Sequence, residues 1–238
     1  MIRKLIRNFL KTRGYDIIKT YDVDASGKIK ILPFLRFKTV LDIGANQGQF
    51  LTEIFKSYPD LSFVSFEPLK EPYQKLLAFA KDKKNITTFN VALGNEDKEA
   101  TIYRNQYTPS SSLLKMNQSH KDAFPYTQNA VEETIRIRRL DDVVKENPAL
   151  FNGPFLMKID VQGFEEQVLK GACDFLKKVD SIIIELNFEQ LYENAPLFDD
   201  IYTLLKKEGF RYCGSIDQMK DPRTGAFLQA DGLFKRMS

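Results

Sequence analysis

Cysteine is scarce in this 238-residue chain, limited to Cys173 and Cys213, and histidine occurs once, as His120. The two cysteines lack the spacing of a metal site, and one bridge between them would matter little in a domain of this size, so reduced thiols are expected. Charge of one sign is also lacking: 35 basic and 32 acidic residues mix along the chain for a formal net charge of +3. That is not the concentrated positive field of non-specific nucleic-acid binding, and no nucleic-acid partner is expected. No run approaches the roughly 20 apolar residues of a membrane span, and the N-terminus lacks the uninterrupted apolar core of a signal peptide. A cytoplasmic protein without a transmembrane segment is the expectation. Internal repeats, low-complexity tracts and Pro/Gly-rich linkers are missing as well.

What is present suffices for one sizeable core, since 43% of the residues are hydrophobic and 28% charged. From Thr39 onward short apolar runs alternate with longer amphipathic ones, the pattern of βαβ units and a largely parallel sheet. Strands are predicted at Thr39 to Asp42, Ser62 to Glu67, Ile86 to Ala92, Phe155 to Asp160, Ser181 to Leu186, Phe210 to Gly214 and Asp231 to Phe234. Helices are predicted at Gln49 to Ser57, Leu69 to Ala80, Glu165 to Gly171 and Phe198 to Gly209, from apolar spacing and from glycines near two C-terminal ends. Between Glu99 and Val144 the rhythm breaks: two β-prone stretches flank a Ser/Asn/Gln-rich loop placed to fold over the carboxyl edge of the sheet. At the N-terminus, Ile2, Leu5, Ile6, Phe9 and Leu10 share one helical face with cations opposite. Such a helix packs on its own domain, on a second subunit or on an anionic membrane surface, and a homodimer is among the expectations.

The first strand runs through Asp42-Ile43-Gly44-Ala45-Asn46-Gln47-Gly48 into a helix. Gly44 and Gly48 supply the backbone freedom that a close-packed ligand requires. A dinucleotide turn would read G-x-G-x-x-G, so that a pyrophosphate rests on the helix N-terminus; here Ala45, Asn46 and Gln47 intervene. That counts against a nicotinamide cofactor and for S-adenosylmethionine, which has no phosphate. One βαβ unit further on, the second strand ends in Phe66-Glu67-Pro68, where a carboxylate can accept hydrogen bonds from both ribose hydroxyls. Ala92 and Leu93 then either flank the adenine or belong to ordinary core.

Taken in order, Val40 to Gly48, Phe66-Glu67-Pro68, Ala92-Leu93-Gly94, Arg139-Leu140-Asp141-Asp142 and Lys158-Ile159-Asp160-Val161-Gln162-Gly163-Phe164-Glu165 make the chain resemble the FkbM family of S-adenosylmethionine-dependent methyltransferases. The likeness spans roughly residues 38 to 235, and it departs at Gln162, where members typically carry Glu. It implies the Rossmann-like class I methyltransferase fold, an α/β architecture with a mostly parallel seven-stranded sheet and helices on both faces. It further implies methyl transfer to oxygen, commonly a hydroxyl of a sugar, polysaccharide or secondary metabolite. Residues 1–37 then form an N-terminal helical extension, for dimerisation or for capping the acceptor, and residues 38–238 the methyltransferase domain. A non-catalytic subunit that binds the cofactor is the alternative from another class; a nicotinamide-dependent oxidoreductase is the enzymatic rival.

An alcohol needs its proton removed as it attacks the methyl carbon, by a general base or by a metal. Asp160, at the end of the fourth strand, is the first candidate for base, against the alternative that it caps the following helix. Lys158 lies two residues earlier on the same face, either to acidify the acceptor or to pair with a carboxylate. Glu185 and Asn187 close the neighbouring strand, and with Asp160 they make an oxygen-rich set that can hold Mg²⁺. Glu165 is expected to stabilise its helix N-terminus. His120 is a further candidate base or else a solvated loop residue. The aromatics Tyr103, Tyr107, Phe124 and Tyr126, together with Ser110-Ser111-Ser112, either meet a sugar acceptor or anchor the loop.

Overall fold

The run Thr-Val-Leu-Asp-Ile at Thr39–Ile43 (β1) is buried at every position, including its Asp, as befits a strand covered on both faces of a parallel sheet. In the computed structural model of the protein, residues 35–105, 111–114, 117 and 130–237 are described. The chain divides into two compact units, Met1–Leu35 and Arg36–Ser238, and all the described residues except Leu35 belong to the second. The amphipathic N-terminal segment, Ser110, His120, Tyr107, Phe124 and Tyr126 lie outside the described residues.

After β1 come α1 (Gln49–Ser57), β2 (Ser62–Phe66), α2 (Lys70–Ala80), β3 (Ile86–Phe89), β4 (Ala92–Leu93), β5 (Lys98–Asn105), β6 (Ala130–Arg138) and α3 (Leu140–Glu146). The second half holds β7 (Phe155–Ile159), α4 (Glu165–Lys170), α5 (Cys173–Leu176), β8 (Ser181–Asn187), α6 (Phe198–Lys207), β9 (Phe210–Lys220) and β10 (Phe227–Arg236). Seven strands form one sheet in the order β3-β2-β1-β7-β8-β10-β9. The first five run parallel, and β10 is antiparallel to both of its neighbours. Strand order reverses between β1 and β7, which opens a crevice at their carboxyl ends, where doubly wound sheets take ligands.

Leu41, Ile43, Met157, Ile159, Ile182, Ile184 and Leu186 from the central strands join Val168, Phe175, Ile201 and Leu205 from the helices in the main core. Each such side chain contributes roughly 1.5–3 kcal/mol by leaving water. Exposed positions among the described residues carry the charges, as on α6, where Asp199 and Asp200 open the helix and Lys206 and Lys207 close it, matching its dipole.

The third predicted strand is broken in two. Asn90 Nδ2 donates to the carbonyls of Glu67 and Pro68, both at 2.9 Å, and this bonding to the end of the neighbouring strand accompanies the chain's departure from the ladder. β4 instead joins a second sheet of order β4-β6-β5. In that sheet the two β-prone stretches around the polar loop pair antiparallel, from Lys98 opposite Ile137 to Asn105 opposite Ala130. The short helix α3, seven residues at the end of the stretch where the strand–helix rhythm breaks, is an addition to the predicted elements. Of the two helix-terminal glycines, Gly209 is left-handed, at φ +85°. Gly171 serves close approach: a Cβ there would lie 1.8 Å from the carbonyl oxygen of Gly94.

Candidate active site

The turn from β1 into α1 is tied to the end of β2 by backbone bonds. Gly44 and Ala45 donate to the carbonyl of Phe66 at 3.1 and 2.9 Å. Asn46, itself left-handed at φ +49°, donates its N–H to Glu67 Oε2 at 2.8 Å. Leu69 N–H donates to Glu67 Oε1, also at 2.8 Å. Glu67 is therefore buried with one backbone donor on each oxygen, which leaves further lone pairs for a ligand. Burial raises its carboxyl to about 7, against the two backbone donors that lower it. Gly44 is obligatory, because at φ +79° a Cβ would stand 1.9 Å from the Asp160 carbonyl oxygen. The glycine turn and the end of β7 are thus in direct contact.

Asp42 is 0% exposed, and neither of its carboxylate oxygens has a hydrogen-bond partner. Burial raises its pKa, while the ammonium of Lys158, 3.7 Å from Oδ1, works the other way. Lys158 faces Asp42 in register across β1 and β7. Its Nζ lies 3.2 Å from Asp160 Oδ2 and 3.4 Å from the Gly44 carbonyl. Burial alone would lower this lysine's pKa, but Asp160 and Asp42 outweigh it and the net shift is upward. Lys158 is therefore a fixed cation at neutral pH and no general base.

Asp160 follows β7 and is 35% exposed. Its Oδ1 accepts from Gln162 Nε2 at 2.7 Å, and the same nitrogen donates to both Glu185 oxygens at 3.0 Å. Tyr192, fully buried, donates its hydroxyl to Gln162 Oε1 at 2.7 Å. Burial, reinforced by Asp160, Glu165 and Asp231, holds the Glu185 carboxyl well above the usual carboxylate range. Glu165 Oε1 accepts from Val161 and Gly163 N–H at 3.1 Å each, so it pins the loop that carries Gln162 in addition to opening α4. Ser112 Oγ donates to the Gln162 carbonyl at 2.5 Å, which brings part of the polar loop onto the cluster.

Asp42, Gly44, Lys158, Asp160 and Glu185 thus meet at one edge of the sheet. Asp160 is not a helix cap: α4 begins after Phe164, with no side-chain cap bond. Ala92 and Leu93 have their side chains in core clusters. Ala45 is buried and Pro68 half-buried beside the turn. The magnesium ligand set finds no support. Asn187 Oδ1 accepts from Gln229 Nε2 at 2.9 Å, an amide NH₂ stands between the Asp160 and Glu185 carboxylates, and no group of three or more His, Cys, Asp or Glu among the described residues is arranged for a metal. Sequence reasoning missed Tyr192 and the bridging task of Gln162. The one available signal was an amide standing where a carboxylate is usual.

Residues 42–212 match the Methyltransferase FkbM domain family. The chain belongs to this family. A 27% identity over 213 residues, covering 82% of this chain and 77% of the relative, links it to a protein of Beauveria bassiana named Methyltransferase 1. A second relative, the AMB antimetabolite synthetase AmbE of Pseudomonas aeruginosa, is 28% identical over 200 residues, which are 72% of this chain but 9% of that protein. A crystal structure of Methyltransferase FkbM from Methylobacillus flagellatus shares the fold, with a TM-score of 0.53 and 17% identity over 85% of this chain, which spans 45% of that one. Membership in the FkbM family implies S-adenosylmethionine as methyl donor. Within the family motif Arg139 to Asp142 the structural task is plain: Asp141 accepts from the Phe175 and Asp174 N–H groups at 2.8 and 3.1 Å and holds the start of α5. No helix among the described residues is long and apolar enough to cross a membrane.

Proposed function

We propose that this FkbM-family chain transfers the methyl group of S-adenosylmethionine to a hydroxyl of a sugar, a polysaccharide or a secondary metabolite. The observation that carries the reading is the contact of the glycine turn with Asp160: the residue best placed to take a proton abuts the turn best placed to hold the donor. The residues fit a cation without phosphates, since the carboxyl groups of Asp42, Glu67, Asp160 and Glu185 gather at the crevice beside one lysine, Lys158. In this reading Asp42, Gly44, Ala45, Asn46 and Gly48 hold the amino-acid end, Glu67 and Pro68 the ribose, and Ala92 and Leu93 the adenine side. When bound, the donor supplies an electrophilic methyl group on a good leaving group. The chain then has to orient an acceptor oxygen and remove its proton, and positioning carries much of the rate. Asp160 takes that proton; Lys158 stabilises the resulting charge and keeps Asp160 in place; Glu185 accepts from the acceptor's neighbouring hydroxyls. Residues 1–37 are assigned to self-association, and His120, outside the described residues, to the role of a second base.

The likeness to an antimetabolite synthetase supports a secondary metabolite as acceptor, and the carboxylates at the rim suit a polyhydroxylated one. Calorimetric titration with S-adenosylhomocysteine, followed by an acceptor screen with Asp160→Asn beside the parent, tests the whole reading. Saturable binding by both proteins and methyl transfer by the parent alone are expected. Binding of NADH in place of the homocysteine product, or full transfer by Asp160→Asn, would overturn it.

A further inference from the structure

Gln162 stands at the centre of the cluster, and its surroundings are more elaborate than a loop residue requires. Its backbone is left-handed, at φ +56°, a conformation unfavourable for a residue with a side chain and kept only where the surroundings over-determine it. Three residues do so. Ser112 Oγ holds its carbonyl, Glu165 Oε1 holds the N–H groups of Val161 and Gly163 on either side of it, and Tyr192 holds its side-chain oxygen.

The amide has two hydrogens and no charge. One reaches Asp160 Oδ1 at 2.7 Å and the other is shared by the two Glu185 oxygens at 3.0 Å. The two carboxylates can therefore lie no further apart than those two contacts end to end. The Tyr192 hydroxyl donates to Oε1 and so turns the NH₂ toward the acids; the opposite orientation would set an amide oxygen against two carboxylates. We propose that Gln162 is the positioning residue of the transfer step, its carboxamide holding the Asp160 and Glu185 carboxyl groups side by side toward the acceptor.

This rests on the role given to Asp160 above. Donation to the charged form favours that form, and at this site the effect is needed. Facing the pair are Lys158 from β7, Asp42 from β1, Glu165 from α4, Asp231 from β10 and Tyr192 from the segment after β8. Lys158 alone among them is a cation, and it is shared with Asp42. The neutral amide adds donors to the cluster without adding a proton that can be lost. An acid in its place would bring a third carboxylate and a proton to be shared among the three.

The test is a pH titration of the full chain, carbon-13 labelled at its Glu carboxyl groups and followed by NMR, with the Glu185 signal assigned through Glu185→Gln. In Gln162→Glu, of nearly the same shape, the Glu185 midpoint is expected to move up by about one pH unit or more. Tyr192→Phe, which frees the amide to turn, is expected to move it in the same direction by less. A midpoint within about 0.3 pH unit of the parent in Gln162→Glu, or in Tyr192→Phe should the first variant not fold, would overturn the proposal. The two readings fail separately: retained methyl transfer in Asp160→Asn alongside the expected titration shifts would remove the proton-acceptor role and leave Gln162 as the holder of the pair.

Discussion

Replacing Lys158 with Met keeps most of the buried stem and removes the charge beside Asp42. Lys158 is 13% and Asp42 0% exposed, so the loss is felt in low dielectric; Asp160, more exposed and screened by water, adds little. Breaking a buried pair costs about 3–5 kcal/mol. Here protonation sets the ceiling, because Asp42 can take up a proton in place of remaining a bare buried anion. From an ordinary value of 3.8, forcing a proton onto it at pH 7 costs about 1.4 kcal/mol per pH unit, ~4 kcal/mol altogether. The sign follows from linkage. Asp42 is already shifted upward in the folded protein, so its contribution is fully present below the ordinary carboxylate range and is lost as pH rises through the folded value. Removing Lys158 pushes that value higher and extends the loss further up the scale. Urea unfolding of parent and Lys158→Met at pH 5, 6, 7 and 8 should show a penalty that grows with pH and stays below ~4 kcal/mol at pH 7, because the parent's Asp42 is itself already shifted upward. A penalty of equal size at every pH would refute the reasoning, because it would mean that Asp42 is not the group left uncompensated.

Two further outcomes are expected. The Glu67 carboxyl, raised to about 7 by burial, accepts from a ligand hydroxyl best when ionised, so calorimetry should find S-adenosylhomocysteine binding about tenfold tighter at pH 8 than at pH 6; in Glu67→Gln the affinity should be weaker and flat across that range, and a flat profile in the parent would exclude Glu67 from ribose binding. Asp141→Ala removes the acceptor of two N–H groups at the start of α5 and should lower the unfolding free energy by about 1–2 kcal/mol, with S-adenosylhomocysteine affinity retained; a loss of affinity would place Asp141 in the ligand site.

Much of the fold was legible because β1, β2, β7 and β8 are short apolar runs set between amphipathic segments, and burial on both faces leaves few other ways to hide them. The glycine turn was equally legible, since Gly44 and Gly48 occupy left-handed positions that only a few residue types tolerate. The break at Asn90 and the short helices α3 and α5 were not. The Asn90 side chain bonds carbonyls more than twenty residues away, and α3 and α5 are too short, at seven and four residues, to stand out beside the surrounding loop.

From its sequence alone this protein is an FkbM-family methyltransferase with a parallel sheet, a glycine turn after its first strand and acidic residues at the strand ends. Those properties belong to local pattern and spacing, which chain chemistry sets residue by residue. Tertiary structure decided how the acids share their partners. It made Lys158 a permanent cation between Asp42 and Asp160, took Asn187 away to Gln229, and set the Gln162 amide between two carboxylates under the hydroxyl of Tyr192. Each of these depends on which oxygen lies within about 3 to 4 Å of which donor, a distance between strands and loops far apart in the chain.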